Sequence, residues 1–311
     1  MNPYSIAIHG GAGTLVKGQM TSEKEAAYTS GLQAALDAGY DVLAKGGSAL
    51  DAVTASVVLL ENNHLFNAGK GSVFTGNGQH EMDTSVMEGK YLKAGAVSLI
   101  SGIKNPILLA RDAMEKSEHV FLAAEGAKQF AQSLGYRLEN ESYFYDEFRF
   151  HQWQEIKGSD SFQLDHSIQK ESKFGTVGAV ACDKFGNVAA ATSTGGMTNK
   201  KWGRIGDSPV IGAGNYANNT TCAVSCTGSG EFFIRGVVAY DVSCLMEFKG
   251  LSLEDAANEV IHHRILKLGG DGGLIAVDAL GNIVMPFNTE GMYRGYKKSS
   301  GENDVLIYGG T

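Results

Sequence analysis

The sequence is poor in proline and cysteine, and it lacks long hydrophobic runs. Only four prolines and four cysteines occur among its 311 residues. The cysteines (Cys182, Cys222, Cys226 and Cys244) form no CxxC pair, which favours reduced thiols packed in a core over a disulfide framework. The longest nearly apolar stretch, Leu50 to Leu60, is too short to cross a bilayer. A membrane protein is therefore not expected.

Positive charge is also scarce. The chain has 26 Lys and Arg against 34 Asp and Glu, a net charge of −8, with no basic cluster. Because affinity for phosphates comes from clustered cations, a nucleic-acid partner is not expected. The first 13 residues contain neither the basic leader nor the apolar run of an export signal, which predicts a cytoplasmic protein.

Several widespread catalytic motifs are missing. The sequence contains no GxSxG, no GxGxxG and no HExxH, so it lacks the signatures of α/β-hydrolases, dinucleotide-binding domains and zinc peptidases. The stretch NAGKGS at 67–72 does not have the spacing of a phosphate-binding loop. The adjacent His262 and His263 lie in a predicted helix and point apart, which argues against a shared metal.

Glycine is abundant instead, with 41 residues, and helical patterns come in blocks. The capping box from Ser22 to Glu25 predicts the start of a helix, and Ser48 with Asp51 predicts a second that reaches about Asn62. Asn105-Pro106 predicts the start of a third. Further helical patterns cover residues 115–134, 232–248 and 252–268.

Short apolar runs predict strands at 5–9 and 94–100 and two hairpins, 176–182 with 188–192 and 274–277 with 283–287. Blocks of helices beside hairpins favour an α+β fold with antiparallel sheets over a doubly wound parallel sheet. Residues 141–175 follow no period. We interpret them as an exposed connector and a suitable place for the chain to be cut.

The residues best suited to binding or catalysis lie between positions 175 and 231. There, the ends of the predicted hairpins carry hydroxyl groups, Arg204, Asp207 and many glycines. Such a set of groups would suit a small zwitterionic ligand. The guanidinium could bind a carboxylate, the carboxylate could bind an ammonium group, and backbone amides could stabilise an oxyanion. On these residues alone, ordinary turns that need Gly, Thr and Asp are an equally good interpretation.

Six motifs then give a specific resemblance. In order they are HGGAG at 9–13, FNAGKG at 66–71, GTVGAVACD at 175–183, TSTGGMTNK at 192–200, GRIGDSP at 203–209 and CTGSGE at 226–231. This series resembles the plant-type asparaginase and isoaspartyl peptidase family of N-terminal-nucleophile hydrolases. The resemblance implies a four-layer αββα sandwich and an amidohydrolase. It would cleave β-aspartyl dipeptides and L-asparagine and release L-aspartate.

The resemblance also implies that the chain cuts itself between Gly175 and Thr176. Residues 1–175, of which 156–175 form the exposed connector, and residues 176–311 would then be two subunits of one structural domain. The hydroxyl of Thr176 would be the nucleophile. Its newly freed α-amine, with an ordinary pKa of about 7.7 to 8.0, would be the general base, so no histidine is required.

Roles for the other site residues follow from the same resemblance. Arg204 would bind the α-carboxylate of the substrate and Asp207 its α-ammonium. Thr227 and the N–H of Gly228 would form the oxyanion hole, and Gly230 would allow the ligand a close approach.

Two further residues are implied near the nucleophile. Thr194 would orient Thr176, and Asn67 would help to position the scissile region, although a simple turn role is open for Asn67. No cofactor is implied for catalysis, and the protein would form a dimer of cleaved protomers. A structural sodium ion would bind to backbone carbonyls, which suit a hard cation, at Leu60, Glu61, Asn63, Phe66, Ala68 and Lys70.

Other functions remain open at this point. Glycosylasparaginase shares the fold and the nucleophile, but the TSTGGM and CTGSGE motifs resemble the asparaginase branch more closely. A threonine endopeptidase is disfavoured by the intact GRIGDSP motif. A different class, a non-catalytic amino-acid-binding module, would use Arg204 and Asp207 without chemistry.

Overall fold

The structure is a computed structural model that describes residues 3–158 and 175–309. Its strands are β1 (Ser5–Gly13), β2 (Met82–Glu88), β3 (Ala94–Ile100), β4 (Phe121–Ala123), β5 (Val177–Cys182), β6 (Val188–Thr194), β7 (Asn215–Ala217), β8 (Cys222–Gly228), β9 (Gly272–Asp278), β10 (Ile283–Val284), β11 (Gly291–Lys298) and β12 (Asn303–Tyr308). The fold is mixed α+β, as the sequence predicts.

Along the chain, groups of helices follow groups of strands. They are α1 (Ser22–Ala44), α2 (Ala49–Glu61), α3 (Pro106–Lys116), α4 (Ala124–Ser133), α5 (Glu141–Phe144), α6 (Glu147–Ile156), α7 (Gly230–Gly236), α8 (Val238–Lys249), α9 (Leu253–Asn258) and α10 (Leu266–Leu268). A π-helical segment, Glu259–Ile265, joins the last two. Among the described residues, no helix is both long and apolar enough to span a membrane.

The strands form two sheets. The larger has the order β12-β11-β1-β5-β6-β2-β3-β4, and the smaller has the order β10-β9-β8-β7. All pairs are antiparallel except β3 with β4. In the larger sheet, β1 therefore pairs with β11 on one side and with β5 on the other.

Successive side chains of the central strands point to opposite faces of the sheet and therefore enter two different cores. Ile6 and Ile8 of β1 pack with α1 and α2 in one core, whereas Ala7 packs with Val180 and Ile275 in another. The second core is rich in alanine, so the two sheets approach closely around β5. A third core lies between the smaller sheet and helices α8 and α9.

Several predicted helix boundaries were wrong. Thr21, not Ser22, caps α1, with its side chain accepting from the N–H of Lys24. The predicted helix over 115–134 is interrupted. Ser117 ends α3 by donating to the carbonyl of Ala113 over 2.7 Å, and β4 intervenes before α4. Val237, with a φ of 48°, separates α7 from α8 within the predicted 232–248 helix.

The connector prediction was also wrong over its first part, because residues 141–156 form α5 and α6. Asp146 caps α6 by accepting from the N–H of Arg149 over 3.0 Å. Trp153 stacks on Phe74 with ring centroids 5.6 Å apart, which fixes the helix against the body of the protein. Residues 159–174 of the predicted connector lie outside the described residues, and Ile156 is buried at the end of α6.

Candidate active site

Thr176 lies immediately before β5, at the end of the central hairpin. The pairing of Val177 with Ser193 places Thr176 beside Thr194, the last residue of β6. Thr176 is only 8% exposed, and it lines a cavity together with Thr194. Its Oγ1 lies 3.3 Å from the hydroxyl of Ser208. The hairpin, whose two apolar runs and central turn are evident in the sequence, therefore positions the predicted nucleophile.

A buried polar chain holds the backbone of Thr176. Nδ1 of His9 lies 3.0 Å from the carbonyl oxygen of Thr176. Since a carbonyl can only accept, Nδ1 carries the proton, and Nε2 accepts from the hydroxyl of Ser225 over 2.9 Å. Ser225 in turn contacts the hydroxyl of Thr192 at 2.7 Å. Burial lowers the pKa of His9 to about 3, so the ring is neutral and serves to position the strand.

The residue before the nucleophile is enclosed by the HGGAG segment and by Thr227. Gly11 has a φ of +114°, and a Cβ there would lie 2.6 Å from the backbone nitrogen of Gly175. On the other side, a Cβ on Gly175 would lie 3.0 Å from Oγ1 of Thr227, which accepts from the N–H of Ala12 over 3.3 Å. Thr227 is thus close to the predicted scissile bond.

Arg204 lines the same cavity, and an ion pair with Glu231 holds its guanidinium group in place. Its Nε and Nη2 donate to the two carboxylate oxygens of Glu231 over 2.8 and 2.9 Å. This bidentate pair leaves the hydrogens of Nη1 and one of Nη2 for a ligand. Burial acts to raise the pKa of Glu231, but the bonds from Arg204 lower it below its usual value, so Glu231 is ionised.

Asp207 also faces the cavity, 4% exposed. Within the described part of the chain, its Oδ2 is buried without a hydrogen-bond partner. Burial raises the pKa of Asp207 to about 7, although the charge of Arg204 acts to lower it. A buried carboxylate oxygen without a partner is costly, and a bound ammonium group would satisfy it.

Gly230 explains how these two charged groups fit side by side. A Cβ there would lie 2.8 Å from Oδ1 of Asp207 and 2.9 Å from Nη2 of Arg204. Any larger residue would therefore push both groups away from the cavity. Gly228, at the end of β8, lines the cavity as well. The predicted binding residues and the predicted nucleophile are brought together in one site.

Asn67 lines the cavity, and both the nitrogen and the oxygen of its side-chain amide form hydrogen bonds with neighbouring loops. Its Nδ2 donates to the carbonyl of Gly196 over 2.7 Å, and its Oδ1 accepts from the N–H of Val73 over 3.1 Å. Thr194 accepts from the N–H of Gly196 over 2.9 Å. Asn67 and Thr194 thus both hold the turn that follows β6, and the predicted role of Asn67 toward the scissile region stays a prediction.

The segment predicted to hold a cation folds back on itself. A Cβ on Gly69 would lie 2.4 Å from the carbonyl oxygen of Glu61, and a Cβ on Gly71 would lie 2.1 Å from that of Phe66. The two glycines allow these carbonyls to come close to the turn. Among the described residues, no group of three or more His, Cys, Asp and Glu side chains is placed to hold a metal ion.

Sequence reasoning assigned no role to several residues of the site. Ser208 and Glu231 lie within the recognised motifs, but their contacts with Thr176 and Arg204 join segments 32 and 27 residues apart. His9 also lies in a recognised motif, and only the pairing of β1 with β5 explains its contact. Arg149 and Gln152 line the cavity from α6, which the sequence did not reveal as a helix.

Comparisons with known proteins identify the family of this chain. A family model described as asparaginase matches residues 1–307. An isoaspartyl peptidase of Salmonella typhimurium is 52% identical over 99% of both chains, and one of Escherichia coli is 51% identical over 99% of this chain and 97% of its own. A human isoaspartyl peptidase/L-asparaginase is 42% identical over 94% of this chain and 92% of its own. The match over nearly the whole length places this chain in the asparaginase family.

Proposed function

We propose that this protein is a self-processing threonine amidohydrolase that cleaves isoaspartyl dipeptides and L-asparagine and releases L-aspartate. One observation carries the proposal. Thr176, the Gly175–Thr176 bond, Arg204 and Asp207 all line one cavity, and Oδ2 of Asp207 has no hydrogen-bond partner within residues 3–158 and 175–309. Relatives that are similar over nearly their whole length carry the names isoaspartyl peptidase and isoaspartyl peptidase/L-asparaginase.

The first reaction is a cut in the chain itself. Oγ1 of Thr176 attacks the carbonyl carbon of Gly175, and the peptide C–N bond breaks as its nitrogen takes up the hydroxyl proton. The resulting ester is opened by water, which leaves a carboxylate on Gly175 and a free α-amine on Thr176. Thr227, adjacent to Gly175, and the N–H of Gly228 would stabilise the oxyanion that forms on the way.

The second reaction uses the same hydroxyl on a substrate. Arg204 binds the α-carboxylate and Asp207 the α-ammonium, which fixes the side-chain carbonyl carbon at Thr176. The α-amine of Thr176 accepts the hydroxyl proton during attack and passes it to the departing amine. Water then hydrolyses the aspartyl ester, with the amine again as base, and L-aspartate leaves.

Both substrate classes present the same head group to Arg204 and Asp207. L-asparagine releases ammonia, and an isoaspartyl dipeptide releases an amino acid, so the two differ only in the leaving amine. Since the head-group contacts remain the same in both reactions, one site can serve both substrates.

Three structural properties belong to the same proposal. The three cores support a four-layer αββα sandwich, in which helices cover the outer faces of two packed sheets. A sodium ion would bind to carbonyl oxygens of the 60–70 loop, a donor type that suits a hard cation. The cleaved protomers would associate as a dimer.

Mass spectrometry under denaturing conditions tests the self-cleavage. After incubation of the purified protein, we expect two fragments, residues 1–175 and 176–311, while a Thr176→Ala variant remains one chain. Further trimming before Gly175 is compatible with the proposal, but the second fragment must begin at Thr176. A wild-type protein that stays intact would contradict it and favour the amino-acid-binding module.

Release of L-aspartate from L-asparagine, an isoaspartyl dipeptide and a glycosylated asparagine tests the substrate class. We expect turnover of the first two and loss of both in Thr176→Ala. Arg204→Met and Asp207→Asn should be self-processed, since neither residue contacts the scissile bond, and should turn over both substrates poorly. Preferred hydrolysis of the glycosylated substrate would indicate a glycosylasparaginase instead.

A further inference from the structure

A buried ion pair packs behind the wall of the cavity, and the reaction described above does not use it. Nζ of Lys200 lies 3.5 Å from Oδ2 of Asp83 and donates to the carbonyl of Glu81 over 2.8 Å. Lys200 is 3% exposed and Asp83 is 0% exposed. The cost of removing two charges from water can exceed their mutual attraction, and well-packed apolar residues of similar size are often as stable. The stability of the fold therefore does not explain why these two charges are buried here.

Lys200 packs directly against the turn that holds Thr194. A Cβ on Gly196 would lie 3.0 Å from Cδ of Lys200 and 3.2 Å from its Nζ, so the glycine lets the lysine come this close. Gly196 lines the cavity, and its N–H donates to Oγ1 of Thr194 over 2.9 Å. Because that bond occupies one lone pair of the hydroxyl oxygen, the proton of Thr194 remains available for Thr176. The lysine thus supports the residue that fixes the direction of the Thr194 hydroxyl.

Asp83 reaches the same turn from the neighbouring strand. In the pairing of β2 with β6, Asp83 lies opposite Thr194. Its Oδ1 accepts from the N–H of Leu99 over 2.9 Å. Leu99 has a φ of 53°, and Trp202, two residues after Lys200, has a φ of 56°. Bulky residues adopt this left-handed conformation only where the surrounding structure imposes it, and such strain concentrates at functional sites. Strained backbone therefore lies next to both members of the ion pair.

We propose that Lys200 and Asp83 are positioning residues of the proposed reaction. Their ion pair fixes the turn at 194–196, so that the hydroxyl of Thr194 stays directed at Thr176. A partner hydroxyl that is already in place stabilises the attacking oxygen without reorganisation. Its displacement would lower the rate and leave substrate affinity nearly unchanged, since other residues bind the head group. The inference rests on the proposed function and adds to it the residues that hold Thr194 in place.

The double variant Asp83→Asn/Lys200→Met removes both charges and leaves an amide oxygen to accept from Leu99. We expect kcat for L-asparagine and for β-aspartyl-leucine to fall about 10- to 100-fold, with KM changed by less than about twofold. Rates are expressed per cut chain, counted by mass spectrometry from the fragment that begins at Thr176, and are measured well below the unfolding temperature of each variant. Self-cleavage in a gel time course should slow as well, because the same hydroxyl attacks Gly175.

A double-mutant cycle with Thr194→Ala separates positioning from general support of the fold. If the ion pair acts through Thr194, its removal in that background should lower kcat and the rate of self-cleavage by less than about twofold. A purely structural role would lower the rates by the same factor in both backgrounds. Asp37→Asn/Lys297→Met is the matched control, because it removes a 2.6 Å ion pair between α1 and β11, and it should change no rate.

Asp83→Asn alone serves if the double variant does not fold. It keeps the lysine and should lower kcat about three- to tenfold, because the ion pair becomes a weaker hydrogen bond to a neutral group. A folded double variant that stays uncut while the matched control is cut would support the inference.

Three outcomes would overturn the inference. They are an unchanged kcat in the double variant (or in Asp83→Asn, where that variant replaces it), an equal loss with and without Thr194, and a Thr194→Ala variant as fast as the wild type. A wild-type protein that neither cuts itself nor turns over either substrate would refute the proposed function itself, and the inference with it.

Discussion

The buried carboxylate of Asp207, whose Oδ2 has no hydrogen-bond partner among the described residues, leads to a pH dependence that can be worked out in advance. Burial raises the pKa of Asp207 to about 7, so the group is ionised above this pH and protonated below it. An α-ammonium group binds well only to the ionised form. About one tenth of the sites are ionised at pH 6 and about nine tenths at pH 8, so affinity for the ammonium should be about tenfold higher at pH 8.

A pair of ligands isolates this effect. L-aspartate and succinate differ in the α-ammonium group, and their dissociation constants can be measured by calorimetry from pH 5 to pH 8. Other titrations in the site, including that of the α-amine of Thr176, act on the shared carboxylates of both ligands and largely cancel in the ratio of the two constants. We expect the preference for L-aspartate over succinate to grow about tenfold between pH 6 and pH 8.

Asp207→Asn is the matched variant, because it keeps the shape and removes the charge. In this variant the preference for L-aspartate should be small and independent of pH. A preference in the wild-type enzyme that is equal at pH 6 and pH 8 would refute the reasoning. It would mean that Asp207 is either ionised throughout this range or does not meet the ammonium group.

Three other predictions concern the support of the site. Glu231→Gln should raise KM for L-asparagine about two- to fivefold with little change in kcat. The reason is that Glu231, which is half-exposed, orients Arg204 equally for the substrate and for the transition state. An unchanged KM in steady-state kinetics would contradict this prediction. Gly11→Ala should slow self-cleavage in a gel time course, because its Cβ would meet backbone next to the scissile bond. Gly18→Ala is the control, because Gly18 also has a positive φ but its Cβ would lie in open space. This variant should lose only about 1 to 3 kcal/mol of stability through backbone strain and should cleave normally. Equal cleavage rates in the Gly11 and Gly18 variants would contradict the predicted clash at Gly11. Trp153→Ala should lower the free energy of unfolding by about 3 to 5 kcal/mol, measured with denaturant, and a loss below about 1 kcal/mol would mean that α6 is not anchored by this ring.

The sequence was sufficient to predict the elements whose pattern is local. The hairpin of β5 and β6 consists of two short apolar runs on either side of a DKFGN turn, and the residues expected to take part in the reaction lie at or near the ends of such strands. Their convergence in one cavity follows from the sheet order, which local patterns do not contain. The contact of His9 with Thr176, for example, depends on the pairing of β1 with β5, which are more than 160 residues apart.

Helix α6 was missed for a different physical reason. Its buried residues are Arg149, Trp153 and Ile156, so the inward face contains a charged side chain and the usual apolar stripe is absent. The aromatic residues around it pack against Phe74, a partner that is distant in sequence. A helix stabilised by tertiary contacts of this kind has no sequence period that could have predicted it.

The strand order of the larger sheet has a consequence for a molecule that divides itself. From one edge, the sheet contains two strands that follow Thr176, one that precedes it, two that follow it and three that precede it. After the proposed cut, strands of both fragments would lie side by side within the larger sheet. The two fragments could therefore separate only if the hydrogen bonds between these strands were broken. The new chain end would lie among central strands and would exist only where the sheet had already assembled. Folding itself would thus trigger activation, because a nascent or misfolded chain would keep Thr176 within a peptide bond and would lack the free α-amine that acts as the base.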